Sequence, residues 1–274
     1  MILYPNAKVN LGLNVISKRG DGYHNIETVF YPIPWCDILE IIPAGENEKG
    51  VLLSLSGIPV PGSAEENLCR KAYALLSQHY DVPALRAHLH KRIPTGAGLG
   101  GGSSDAAFFM KGVSELCDLN LSWGELHHFA KQIGADCSFF ITNRPAYAQE
   151  KGDDLEGVDL SLAGKYIVAA HPGIAVSTKE AYAGVVPEQP LRCVKDIVCS
   201  EPPENWKDIL VNDFEKSVFE KYPAIRLLKE KMYSLGALYA SMSGSGSAVY
   251  GIFNDKPAYD DVFEGCSVFG EQMV

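Results

Sequence analysis

The chain has 274 residues, 46% hydrophobic and 21% charged, with a formal net charge of −10. That is the make-up of a globular protein with room for one large or two modest domains. The acidic balance argues against general nucleic-acid binding, which leaves a basic footprint, but it allows one basic pocket for an anionic ligand.

Seven scattered cysteines without a Cys-x-x-Cys pair point to reduced thiols and not to a disulfide framework or a zinc site. Lys8 interrupts the N-terminus before an apolar core can form, and no run of 18 apolar residues occurs. Neither a signal peptide nor a membrane span is therefore expected, and the expected compartment is the cytoplasm.

The stretch Ala7–Val15 alternates, with Ala7, Val9, Leu11, Leu13 and Val15 facing a core and Lys8, Asn10, Gly12 and Asn14 on the other face. That polar face fits either a solvated surface or the floor of a polar pocket. Lys18-Arg-Gly-Asp-Gly-Tyr-His24 reads on turn chemistry as a hairpin tip. Strand-like stretches at 26–31, 37–42 and 51–56 come before any helix, so an antiparallel sheet is expected. Glu65-Glu-Asn67 then opens an apolar-periodic helix expected to reach about Tyr80. Residues 85–93 alternate again, with Arg86, His88, His90 and Arg92 on one face, as a half-exposed antiparallel strand would.

Next comes Pro94-Thr-Gly-Ala-Gly-Leu-Gly-Gly-Gly-Ser-Ser-Asp-Ala-Ala107. Glycine lets a backbone turn through positive φ and approach a ligand closely. With Ser103-Ser104 as a cap pair, the following helix offers unpaired N–H groups and the positive end of its dipole. Together these make a phosphate site; a merely mobile surface loop has no need of the apolar helix start. Gly96-x-Gly98-x-x-Gly101 formally matches the dinucleotide fingerprint, but the strand before it lacks the continuous apolar run of a buried parallel strand. No Gly-Lys-Ser/Thr closes a Walker loop either.

Ser122-Trp-Gly-Glu125 is a capping box for a helix that stops at Gly134. Asp136 follows beside an apolar cluster, either as a cap for the next segment or as a partly desolvated carboxylate placed for proton transfer. From about residue 158 a strand at 166–170, a Ser177-Thr178 cap, an excursion over 184–208, a helix around 224–235 and strands at 238–240 and 248–253 read as a second α+β domain. Its sheet is expected to be covered by helices on one face.

The loop resembles that of the GHMP kinases, and in this full form it is similar to the 4-diphosphocytidyl-2-C-methyl-D-erythritol kinases of the non-mevalonate isoprenoid pathway. Pro5–Leu13 with Lys18–His24 resembles the family's first motif, Pro94–Ala107 its second and Met242–Ser247 its third. Gly134-Ala-Asp136 and Glu66-Asn67-Leu68 match smaller ones, all in family order. Tyr23-His24 is the most discriminating part, because homoserine and mevalonate kinases are not expected to carry it.

The resemblance implies an α+β, two-domain GHMP kinase fold. A ribosomal-protein-S5-like N-terminal domain would span 1–157 and a ferredoxin-like C-terminal domain 158–274, with the active site in the cleft. The implied reaction is ATP-dependent phosphorylation of the substrate's 2-hydroxyl, with magnesium.

Lys8 and Asp136 match the catalytic pair. Pro94, Thr95, Gly96, Ala97, Gly98, Leu99, Gly100, Gly101, Gly102, Ser103 and Ser104 would wrap the triphosphate, the two serines being available for phosphate or magnesium. Asn10 would contact substrate, Tyr23 and His24 would recognise the cytidine base, and Thr178 would close over the substrate. The third motif would support the phosphate loop without touching the reacting atoms. The partners implied are ATP and the small cytidine diphosphate methylerythritol, with no nucleic acid and no membrane, in a monomer or weak homodimer.

Two departures stand out. Cys137-Ser138-Phe139-Phe140 replaces the usual Val-Pro-Phe-Phe, so no proline holds φ beside Asp136. Lys151-Gly-Asp-Asp154 replaces a more glycine-rich stretch. The alternatives are another GHMP kinase acting on homoserine, mevalonate or a sugar, which leaves Tyr23-His24 without a role, and a non-catalytic nucleotide binder, which would lack Lys8 or Asp136. A dinucleotide enzyme is third.

Overall fold

The computed structural model describes residues 1–45 and 47–274. In chain order β1 (Ile2–Leu3), β2 (Asn6–Lys18), β3 (His24–Cys36), β4 (Ile38–Pro43) and β5 (Val51–Gly57) precede α1 (Leu68–Ser77). Then come β6 (Leu85–Lys91), α2 (Gly101–Leu116), α3 (Trp123–Ile133), α4 (Cys137–Thr142), β7 (Ala146–Gln149) and β8 (Asp154–Gly157). The remainder holds β9 (Tyr166–His171), α5 (Thr178–Ala183), α6 (Val194–Ser200), α7 (Phe214–Lys221) and α8 (Pro223–Ser234). It closes with β10 (Tyr239–Met242), β11 (Val249–Phe253) and β12 (Ser267–Gln272).

These elements gather into two compact units. One holds Met1–Ala7, Trp35–Thr95 and Gly100–Asn143; the other holds Lys8–Pro34, Gly96–Leu99 and Arg144–Val274.

In the first unit the sheet runs β1-β4-β6-β5. β6 keeps the alternation expected of it, with Leu85, Ala87 and Leu89 buried and Arg86 and His88 exposed. It pairs antiparallel with β4 but parallel with β5, Val51 lying opposite Leu85. The sheet is thus mixed and not wholly antiparallel, because α1 between β5 and β6 returns the chain to the same end before the next strand starts.

Asn67 caps α1 by accepting from Cys69 N, and the helix ends at Ser77, short of Tyr80, as the Gln78 N–H turns to the tighter Leu75 carbonyl. The Ser122–Glu125 capping box and the Gly134 stop of α3 form as expected. α2 starts at Gly101 with Gly100 as its cap, at φ +71°. Ser103 and Ser104 therefore lie inside the first turn and are not the cap: a glycine in the left-handed region swings the chain into the helix earlier than a serine would.

The second unit holds a sheet ordered β2-β3-β7-β8 and an antiparallel one ordered β10-β11-β9-β12. α7 and α8 pack Phe214, Val218, Ile225 and Met232 against Val168, Ala170 and Val249 of the latter. β2 is buried on both faces through Val15, and Lys8 and Asn10 are among its buried residues. That settles the reading left open by alternation: its polar face is not a solvated one. The excursion 184–208 contains α6 and a 3-10 turn, Pro203–Asp208, with Trp206 fully buried. β12 was not expected, because its exposed residues carry almost no apolar alternation. Among the described residues no helix is long and apolar enough to cross a membrane, and all seven cysteines are free thiols.

Candidate active site

β2 presents Lys8 and Asn10 two residues apart, hence on one face. Lys8 Nζ donates to Asn10 Oδ1 at 2.7 Å and to the Gly98 carbonyl at 3.0 Å, and lies 4.8 Å from the Phe30 ring centroid. Asn10 Nδ2 donates to Thr28 Oγ1 at 3.0 Å, which donates to the Gly12 carbonyl. The asparagine is thereby held with its oxygen toward the ammonium.

The third sequence motif reaches the same point. Ser243 Oγ donates to Gly98 O at 2.8 Å, and Ala248 N donates to Ala97 O. Asn212 Nδ2 holds the Met242 and Gly244 carbonyls, fixing the motif in turn. Gly98 has φ +80°, and a Cβ built on it would lie 1.9 Å from the Ser243 carbonyl oxygen. Only glycine fits there.

In the first unit, Lys91 at the end of β6 bridges two carboxylates. It donates to Asp105 Oδ2 at 2.6 Å and to Asp37, while Asp37 also accepts from Arg92 N at 2.5 Å and Ile93 N at 2.9 Å. One ammonium thus ties the strand before the glycine loop to the second turn of the helix after it. Burial would depress Lys91, but the two carboxylates outweigh it and raise it. Asp105 is pushed up to about 8, first by burial and further by Asp37, against the pull of Lys91. A cavity of about 280 Å³ opens beside this group, lined by Lys91, Thr95, Gly102 and Asp105 and by Asn67, Leu68 and Val60.

Asp136 is the N-terminal cap residue of α4, although its side chain makes no capping hydrogen bond. Ser103, half-buried, lies beside the thiol of Cys137, the residue after Asp136, and burial pushes that thiol up to about 12. Ser104 is fully buried, and its Oγ finds no partner among the described residues.

A second cavity, of about 630 Å³, lies in the other unit. Tyr23, His24 and Thr178 all line it, together with Tyr182, Lys18, Lys151 and Lys179. The His24 and Tyr182 rings stack 4.6 Å apart at 14°, and Lys151 Nζ stands 5.4 Å from the Tyr23 centroid. Thr178 Oγ1 lies 3.4 Å from Ser245 Oγ. Among the described residues lining it, three are lysines and none is acidic, in a chain of net charge −10. Flat rings beside ammonium groups suit a planar base joined to an anion.

The structure therefore brings Lys8, Asn10 and Gly98 into direct contact and gathers Tyr23, His24 and Thr178 round one cavity. Gly96, Ala97 and Leu99 belong to the same unit as these; Pro94, Thr95, Gly100, Gly101, Gly102, Ser103, Ser104 and Asp136 belong to the other. Tyr182 was not foreseen, although it lies one helical turn beyond Thr178 and that spacing could have found it. The lysines around the cavity and the Lys91–Asp37–Asp105 group were also missed, since each joins residues far apart in sequence.

The GHMP kinases N-terminal domain family matches residues 67–144 and the GHMP kinases C-terminal family residues 198–268. A 4-diphosphocytidyl-2-C-methyl-D-erythritol kinase of Cytophaga hutchinsonii is 56% identical over 258 residues, covering 94% of each chain. One of Parabacteroides distasonis is 49% identical over the full length of both. Among solved structures, a 4-(cytidine 5'-diphospho)-2C-methyl-D-erythritol kinase superposes with TM-score 0.77 at 32% identity, covering 92% of this chain and 90% of that one. A Methanococcus jannaschii mevalonate kinase, at 13% identity and TM-score 0.73 over 100% of this chain and 98% of that one, shares the fold. With both family domains matched in order and near-half identity end to end, the chain belongs to the GHMP kinases.

Proposed function

We propose that the protein transfers the γ-phosphoryl group of ATP to the 2-hydroxyl of 4-diphosphocytidyl-2-C-methyl-D-erythritol, in non-mevalonate isoprenoid precursor synthesis. The observation that carries this reading is the aromatic cavity ringed by lysines, with Tyr23 and His24 in it. A cytidine diphosphate offers a planar base and an anionic tail, which is what that lining suits; mevalonate and homoserine have no base to stack. Relatives bearing the name of this kinase support the same substrate.

Phosphoryl transfer depends on positioning and on positive charge near the γ-phosphate more than on covalent chemistry. We assign Asp136 to accept the proton of the attacking hydroxyl or to orient it, and Lys8 to neutralise charge on the transferring group. Asn10, which orients the Lys8 ammonium, is read as a substrate contact, as are Tyr23, His24 and Thr178. The loop Pro94–Ser104 is assigned to the triphosphate through backbone N–H groups. The cavity beside Lys91 and Asn67, at the helix start, suits the nucleoside.

Magnesium bridges phosphate oxygens and commonly needs only one or two protein oxygens. Ser103 Oγ, half-buried and next to the Asp136 segment, and the Asp136 carboxylate are hard oxygens that fit it; Ser104, wholly buried, fits less well. When bound, the ion would neutralise the developing phosphate charge.

The two domains are drawn at 1–157 and 158–274, which leaves one matched family region on each side. A cytoplasmic monomer or weak homodimer completes the proposal.

The test is ADP release from ATP and magnesium, with and without the cytidine substrate, for wild type and Asp136→Asn. Substrate-dependent release that is lost in the variant while ATP binding persists is expected. A higher efficiency on mevalonate or homoserine would remove the assigned substrate, and near-normal turnover by Asp136→Asn would remove the assigned base.

A further inference from the structure

The helix that leaves the glycine loop also grips the helix that begins at Asp136. Lys111 lies on α2, about two turns beyond Ser103. Its Nζ donates to the Phe140 carbonyl at 2.9 Å and reaches that of Ile141 at 3.5 Å. Both belong to the last turn of α4, where carbonyls have no partner within the helix and a cation is favoured.

The ammonium lies 3.8 Å from the Phe108 ring centroid. Burial pushes the Lys111 ammonium down to about 8. Burying an ammonium whose partners among the described residues are two carbonyls and a ring costs free energy. At the opposite end of α4, Cys137 lies beside Ser103 of the same α2. α2 therefore meets α4 at both ends and is hydrogen-bonded to it through Lys111, and Asp136 is the N-terminal cap residue of α4.

We propose that Lys111 is a positioning residue for phosphoryl transfer: by clamping the C-terminal carbonyls of α4 it sets the orientation of Asp136 at the other end of that helix. This rests on the reading of Asp136 as the group that handles the hydroxyl proton. A lysine that only fills space would change stability and leave the kinetic constants of the folded enzyme alone.

Lys111→Met keeps the stem and removes the donor. Its kcat should fall roughly 10- to 100-fold, the scale of a small misplacement of a reacting group, with KM for ATP and for the cytidine substrate within about twofold of wild type. Lys111→Arg, which can still donate, should recover most of kcat. In an Asp136→Asn background Lys111→Met should cost nothing further, since the group it positions is gone.

Unchanged kcat in Lys111→Met protein that binds ATP would overturn the proposal, as would a rise in KM for ATP alone or a full additive loss in the double variant. Should Lys111→Met not bind ATP, Lys111→Gln carries the same kinetic test. Full turnover by Asp136→Asn would instead sink the reading of the aspartate, an outcome separate from any result at Lys111.

Discussion

At the scale of single residues, Tyr182 is the side chain whose role rests most on geometry. Its ring lies parallel to His24 in the lysine-ringed cavity, so it is placed to cover one face of an incoming base. Tyr182→Ala should raise KM for the cytidine substrate about tenfold or more, the usual worth of a base–aromatic stack, and leave KM for ATP unchanged. Steady-state kinetics with each substrate varied in turn checks this.

Asp105 supports a prediction about pH. Its carboxyl is raised to about 8, chiefly by burial, so the folded state holds this proton far more tightly than the unfolded chain does. This group's contribution to stability is then fully present below the unfolded value near 4 and is lost progressively as pH rises toward 8. Asp105→Asn keeps the shape without the charge, so its melting temperature should fall less than that of wild type between pH 6 and pH 8.5. Parallel slopes in thermal melts would show that Asp105 carries its charge at no cost.

At the scale of elements, the glycine loop is held by backbone geometry. Gly98 combines a positive φ with contact against the Ser243 carbonyl, so Gly98→Ala meets both strain and a clash. The variant should lose ATP affinity by at least an order of magnitude, measured by titration with a nucleotide analogue. Ser243→Ala, which removes one hydrogen bond to the Gly98 carbonyl, should lose roughly threefold to tenfold. Equal losses from the two would mean that the hydrogen bond and not the glycine conformation fixes the loop.

The start of α2 shows why element ends were harder to read than element types. Ser103-Ser104 has the composition of a cap, but Gly100 in the left-handed region starts the helix first. Likewise α1 was readable from Asn67 and its apolar spacing, whereas the parallel pairing of β5 with β6 depends on where α1 returns the chain.

At the scale of the whole molecule, an acidic protein presents a basic cavity. Lys18, Lys151 and Lys179 are all exposed at its lining, so their attraction for a diphosphate should be screened by salt. kcat/KM for the cytidine substrate should fall between 20 and 300 mM added salt, with kcat nearly constant. Replacing the three lysines by glutamine should flatten that dependence. A salt effect of equal size in the triple variant would assign the steering to other charges.

The local chemistry of this chain was legible in its sequence. Glycines at 96, 98 and 100, the Ser122–Glu125 box and the alternation of β2 and β6 each depend on neighbours within a few residues, and side-chain periodicity and turn chemistry report such neighbours directly. The tertiary structure alone decided that the polar face of β2 is buried, that Ser243 fastens Gly98, and that Lys91 serves two aspartates. It also decided that Tyr182 shares a cavity with His24 and that Lys111 caps α4. Each of those contacts joins residues separated by between 14 and 158 positions, the limits being Lys91 to Asp105 and His24 to Tyr182. No local pattern encodes them, because they arise only when burial of the apolar faces brings the remaining polar groups together and each must then find a partner.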